Sequence, residues 1–284
     1  MDPNLEEIEN IEIQLLLEAV HAKYGYDLRE YALTSIRRRV LGALAKSGLA
    51  HLGEFQHRIL HDADFFANVL EDLTVRVTGM FRDPDFYRVF RSRVVPLLRT
   101  YPLLRIWHSG CSTGEEVYAS AILLSEEGLY DRTQIYATDL SPRALEQAKE
   151  GVYPVELLHG FAQNYERAGG TSSLSNYYTE AYDRIAIRES LRKNVLFFQH
   201  NLVSDQVFGE MQVIFCRNVL IYFGQDLKGR VLSKFAESLC PGGFLCLGGG
   251  ERILRGDQKD GWVEFASDAR IYRHRGDASQ EVRS

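Results

Sequence analysis

The chain has 284 residues, 45% of them hydrophobic and 25% charged, which suits a globular protein of one or two domains able to bury a sizeable core. Its 33 Lys and Arg against 39 Asp and Glu leave a formal net charge of -6, so no global positive field argues for nucleic acid or an anionic membrane as partner. Cys111, Cys216, Cys240 and Cys246 show no metal-ligand or redox spacing, and neither a signal peptide nor an apolar run of about 18 residues is visible; the expected setting is a reducing cytoplasm, with no metal and no membrane insertion.

Residues 5–76 read as helices only. Ile8, Ile11, Leu15, Leu16, Ala19 and Val20 recur at helical spacing, similar patterns fill 33–47 and 65–73, and Gly25, Gly48 and Gly53 are natural breaks. This predicts a helical N-terminal domain over 1–76. Asp83-Pro84 then starts a helix that should end near Arg99, with the aspartate as cap and the proline at the first helical position. After Pro102 short apolar strands alternate with helices, the order of an α/β domain with parallel strands, expected over 77–284. Strands are expected at 104–108, 135–138, 195–200, 213–215 and 244–247, and helices from near Gly114, Ser141 and Gln225, with Pro241-Gly242-Gly243 as a stop before the last strand. The segment 169–192 breaks this rhythm and predicts a small hairpin or short strands inserted between crossovers, about 165–193. The tail 277–284 is polar.

The strand at 104–108 runs into Ser109-Gly110-Cys111-Ser112-Thr113-Gly114, followed by a helix beginning at Glu115. Glycines in such a loop let the backbone approach a ligand closely. One βαβ unit further, the next strand ends in Asp139, where a carboxylate can accept ribose hydroxyls. The plainer alternative is a tight glycine turn with Asp139 capping the following helix. Glu115-Glu116 at the helix start would repel a pyrophosphate but suits a cationic sulfonium, so the loop fits S-adenosylmethionine better than a dinucleotide.

Ligands of open α/β sheets bind beyond the carboxyl ends of the strands, which places Cys216-Arg217-Asn218-Val219-Leu220-Ile221-Tyr222-Phe223 near the transferred methyl. An amine or alcohol acceptor needs a base, and Asp, Glu and His are missing from this stretch. Arg217 and Tyr222 can instead hold a carboxylate, which is already a nucleophile; Arg82 is a second arginine on the approach. The same residue types equally fit a structural role, with Arg217 paired to an acid of the fold and Tyr222 packed in the core.

These motifs, in this order, resemble the CheR-type chemotaxis receptor glutamate methyltransferases over nearly the whole chain: Thr78 with Phe81-Arg82-Asp83-Pro84, Gly110 to Glu116, Ala137-Thr138-Asp139, Asn201-Leu202, Phe215 to Phe223 and Pro241-Gly242-Gly243. The resemblance implies a helical domain on a Rossmann-like class I methyltransferase domain with a small inserted β-subdomain. It implies transfer of the methyl of S-adenosylmethionine to receptor glutamates, giving γ-methyl esters and S-adenosylhomocysteine. Carried over by position, the cofactor contacts would be Thr78, Arg82, Gly110, Cys111, Glu115, Asp139, Asn201, Leu202, Arg217 and Asn218. Arg82, Arg217 and Tyr222 would surround the reacting centre. Arg76 and Met80 depart from the usual Asn and Phe, and Gly250-Glu251 from a Ser-Glu pair.

The resemblance also implies receptor docking through a basic helix, here Arg37, Arg38 and Arg39, although successive helical residues turn by about 100° and cannot all face one way. A catalytically weak scaffold that senses S-adenosylmethionine is the alternative that Arg76 permits; a nicotinamide-dependent oxidoreductase is disfavoured by the acidic loop.

Overall fold

A computed structural model describes residues 3–74, 78–254 and 261–275 of the chain. Arg76 and the tail 277–284 lie outside the described residues. The chain divides into two compact units, one made of residues 1–76 with 203–205 and 222–230, the other of 77–202, 206–221 and 231–284. No helix of the described residues is long and apolar enough to cross a membrane.

The first unit is helical: α1 (Pro3–Tyr24), α2 (Leu33–Ser47), α3 (Leu52–His61) and α4 (Ala63–Leu73). Its core takes Ile13, Leu16, Leu17 and Val20 from α1, while Ile8, Ile11 and Leu15, part of the same periodic pattern, stay about half exposed at 47%, 51% and 57%. Gly48 ends α2 with a φ of 73°, as expected of a left-handed cap. Gly53 breaks nothing: it lies in the first turn of α3. The break comes at Asp62, whose carboxylate accepts from Phe65 N at 2.9 Å and caps α4.

The second unit opens with α5 (Pro84–Val89), a π turn (Phe90–Val94) and α6 (Val95–Leu98). Then follow β1 (Leu104–Ser109), α7 (Glu115–Glu126), β2 (Thr133–Asp139), α8 (Pro142–Glu150), β3 (Val152–Pro154), α9 (Leu158–Arg167), β4 (Tyr178–Ala181), β5 (Arg184–Ile187), α10 (Glu189–Arg192), β6 (Val195–Gln199), β7 (Met211–Cys216), α11 (Gln225–Ser238), β8 (Leu239–Leu247), β9 (Trp262–Ala266) and β10 (Ile271–His274). The first residues of α11 belong to the helical unit. The main sheet runs β6-β2-β1-β7-β8-β10-β9, with parallel pairing up to β8 and an antiparallel β9–β10 hairpin at the edge. Strand order reverses between β1 and β7, so the loops leaving these two strands part and open a crevice at their carboxyl ends. Ile106, Trp107, Ile135, Val213, Ile214 and Phe215 fill the centre of the sheet and are essentially without solvent contact.

The irregular segment forms the hairpin β4–β5, and β3 joins it from before α9 to complete a small antiparallel sheet of order β3-β5-β4. Pro241-Gly242-Gly243 lies inside β8 rather than ahead of it. A side chain at Gly243 would meet the carbonyl oxygens of Cys240 and Met211 at 2.9 and 3.1 Å, so this glycine serves close strand approach.

Candidate functional site

The loop after β1 is tied to the end of β2. Gly110 N and Cys111 N both donate to Thr138 O at 2.8 Å, and Ser112 N donates to Asp139 Oδ2 at 2.7 Å. Gly110 and Gly114 hold φ of 77° and 91°. A side chain at either would be strained, because a Cβ would lie 2.5 Å from Val219 Cγ2 at the first and 2.9 Å from Ala148 Cβ at the second. Asp139 does not cap α8; Ser141 does, accepting from Ala144 N at 3.2 Å. Asp139 Oδ1 accepts from Ser141 N at 2.9 Å, so the carboxylate braces both loops. An ionised carboxylate has about four lone-pair sites, which leaves acceptor capacity for ribose hydroxyls.

Glu115 is 5% exposed and accepts hydrogen bonds from the hydroxyls of Thr113, at 2.7 Å, and Thr78. It forms no ion pair among the described residues, and burial pushes its carboxyl above the ordinary range despite these hydrogen bonds. A buried carboxylate with only neutral partners is a ready counter-ion for a cationic ligand. Ser112 Oγ, in a residue with φ of 50°, is buried without a partner among the described residues. Glu115, Asp139 and this unsatisfied hydroxyl together fit a ligand carrying a positive charge and a diol.

Glu116 has a different role. Its Oε2 accepts from Arg217 Nη1 at 2.6 Å, and Oε1 lies 3.4 Å from His108 Nδ1. Burial alone would raise this carboxyl, but the charge of Arg217, with His108, outweighs it and holds Glu116 below the ordinary range. Arg217 also donates through Nη2 to Asp83 Oδ2 at 2.8 Å and to Arg82 O at 3.3 Å, and its guanidinium lies 4.2 Å from the centre of the Phe86 ring. Its side chain is 1% exposed. Thus Arg217 does pair with acids of the fold. Asp83, expected to cap α5, makes no side-chain cap bond and spends its carboxylate on Arg217 because its own φ of 58° turns it away from the helix start.

Sequence reading left out the partners that build this cluster. Glu251 is 5% exposed and accepts from Gly248 N, Asn218 N and Ile221 N at 2.6, 2.8 and 3.1 Å, fixing the loop after β7. His108 stacks on Phe215 at 4.4 Å and places Nε2 2.8 Å from Ser120 Oγ. The only signal for Glu251 was its place in the Gly250-Glu251 pair.

The other expected positions divide. Arg82 is half-buried between Phe81 and Asp83, and Asn218 follows Arg217 with a φ of 62°. Asn201 and Leu202 follow the carboxyl end of β6, where Leu202 O accepts from Lys234 Nζ at 3.0 Å. Thr78, Arg82, Gly110, Cys111, Glu115, Asp139, Asn201, Leu202, Arg217 and Asn218 all fall in the second unit, whereas Tyr222 is grouped with the helical one. There the guanidinium of Arg39 stacks 3.9 Å from the Tyr222 ring centre, and Tyr222 O accepts from Ala32 N at 2.9 Å.

The basic helix is mostly committed. Arg39 is 7% exposed and donates to Leu73 O, and Arg37 pairs with Glu9, so of the three expected docking arginines only Arg38 faces solvent.

Residues 76–268 match the family described as CheR methyltransferase, SAM binding domain, and residues 11–74 match its all-alpha domain. The chain belongs to the CheR methyltransferase family. Among its relatives, Cher3 of Pseudomonas putida is 48% identical over 93% of this chain and 97% of its own length. The chemotaxis protein methyltransferase of Listeria innocua is 33% identical over 81% of this chain and 86% of its own, and chemotaxis protein methyltransferase 1 of Vibrio cholerae 29% identical over 77% and 80%. The cofactor of this CheR-family chain is S-adenosylmethionine, the cationic ligand with a ribose diol that Glu115 and Asp139 fit.

Proposed function

We propose that the chain methylates glutamate side chains of chemoreceptors, forming γ-glutamyl methyl esters in sensory adaptation. The observation that carries this reading is that the carboxylates around the crevice are already engaged as acceptors. Asp139 and Glu251 accept from backbone N–H groups, Glu116 and Asp83 from Arg217, and Glu115 from threonine hydroxyls. Glu116 is held below the ordinary range and is a poor base. An amine or alcohol acceptor would need one of them to take a proton. A glutamate carboxylate is ionised at neutral pH and needs none.

Bound S-adenosylmethionine supplies an electrophilic methyl group on a sulfonium. The chain's own task is orientation: Glu115 holds the positive end of the cofactor, Asp139 the ribose, and Thr78, Gly110, Cys111, Asn201, Leu202 and Asn218 complete the cradle. Arg82 is the arginine that meets the acceptor carboxylate, since the guanidinium of Arg217 is buried and spent on Glu116 and Asp83. Tyr222 enters this reading from its motif, with Arg39 stacked on its ring. The names of the Listeria and Vibrio relatives support a chemotactic substrate. Receptor docking on α2 would rely on Arg38.

The test supplies methyl-labelled S-adenosylmethionine and the cytoplasmic fragment of a chemoreceptor from the same cell. Label released by mild base, and lost when the receptor glutamates are changed to alanine, is the expected result. Base-stable label would sink the ester reading.

A further inference from the structure

Arg217 reaches the turn that carries Arg82. Its Nη2 donates to Arg82 O at 3.3 Å and to Asp83 Oδ2 at 2.8 Å, while Nη1 is anchored 2.6 Å from Glu116 Oε2. The turn is strained: Phe81 and Asp83, on either side of Arg82, hold left-handed φ of 54° and 58° that non-glycine residues rarely adopt. Such a backbone persists only where its surroundings over-determine it. The Phe81 ring is wedged between Tyr87 and Tyr165, at 5.1 and 5.3 Å between ring centres, which fixes one side. On the other side the Asp83 carboxylate is used neither as a cap nor in the core; its side chain is 52% exposed and accepts from Arg217. Glu116 is steadied in turn by His108, whose far nitrogen rests on Ser120 of the same helix α7.

We propose that Asp83 and Glu116 are positioning residues: acting through Arg217, they clamp the strained turn 81–83 and so aim Arg82 at the methyl acceptor. The chain of contacts runs from α7 through Glu116 and Arg217 to the backbone carbonyl of Arg82 itself, which is where a positional error would be felt first. This rests on the reading that Arg82 meets the acceptor carboxylate.

The experiment measures amide hydrogen exchange of the peptide spanning 78–87, S-adenosylhomocysteine affinity by calorimetry, thermal midpoint, and steady-state methylation of a receptor cytoplasmic fragment, in wild type, Asp83→Ala, Asp83→Asn and Glu116→Gln. Asp83→Ala and Glu116→Gln should speed exchange in that peptide about tenfold with other elements unchanged. They should lower kcat about tenfold while KM for S-adenosylmethionine stays within about threefold. Asp83→Asn, which keeps an acceptor for Arg217, should restore much of both. Unchanged exchange in Asp83→Ala and Glu116→Gln would overturn the clamp, as would a loss of kcat matched by equal losses of thermal midpoint and product affinity. A wild-type protein that leaves the receptor fragment unlabelled would overturn the reading of Arg82, while the exchange measurement still decides the clamp.

Discussion

Glu115 and Glu116 are adjacent, both acidic and both at the start of α7, yet their carboxyls move in opposite directions. Glu116 has a guanidinium beside it and is held low; Glu115 has only hydroxyls and is pushed up by burial. A cation bound beside Glu115 selects its ionised form, so binding releases a proton wherever the free carboxyl is protonated. Affinity for S-adenosylhomocysteine, whose amino group is cationic, should therefore rise with pH through the elevated Glu115 range and level off above it. Glu115→Gln should flatten that dependence in calorimetry between about pH 4 and 8 and weaken neutral-pH binding about tenfold or more. Sequence reading saw two acids suited to a sulfonium and could not divide their labour, because the division is made by Arg217, 101 positions away from Glu116. For Arg217 it kept both a substrate role and a pairing with an acid of the fold in view. Residue types allow both, and the pairing itself became visible only with the side chain buried and Glu116 and Asp83 on its two ends.

At the scale of elements, the loop after β1 depends on glycine for two separate reasons. Gly114 starts α7 at a φ of 91° and faces Ala148 on α8 with no room for a methyl group. Gly114→Ala should cost about 1–3 kcal/mol of stability, read as a lower urea midpoint, and should weaken product binding because the Thr113 and Glu115 side chains flank the shifted backbone. The parallel strands β1, β2, β6, β7 and β8 were legible since each carries a short apolar run. Two short edge strands, β3 and β9, were not. The three-residue strand β3 ends in Pro154, and β9 is buried only at its two ends, Trp262 and Ala266, after a polar stretch, so neither carries the continuous apolar signature of a buried parallel strand. Pro241-Gly242-Gly243 reads as a breaker on local rules; a register shift between Met211 and Val213 on β7 lets β8 absorb it.

Across the whole molecule, several carboxylates are held low by cations, and their sum sets an acid limit. Asp27 is lowered chiefly by its hydrogen bond from Arg29; for Glu126, burial is opposed and outweighed by Tyr165 and Arg91; for Glu116, burial is outweighed by Arg217. A carboxyl lower in the folded than in the unfolded chain adds stability above the unfolded value, ordinarily 4.5 for glutamate, and loses it as pH falls through the folded value. Urea midpoints should hold level from about pH 7 to 5 and then fall steeply below about pH 4.5, while Arg91→Ala, which lets the Glu126 carboxyl rise toward its unfolded value, should lower the neutral midpoint and make the acid fall shallower. The division into a helical and an α/β unit was legible as a change of pattern after Pro102. The return of residues 222–230 to the helical unit was not, since it rests on contacts between distant positions: the Arg39 guanidinium on Tyr222, Ala32 N on Tyr222 O, and Gly224 N on Glu30 O at 3.0 Å. Those contacts make the two halves of the gene poor units of exchange. A fragment cut to begin after Arg76 would keep the stretch 222–230 and discard its partners Glu30, Ala32 and Arg39, and a chimaera joining one relative's helices to another's α/β portion must match these three to the residues at 222 and 224 across the splice.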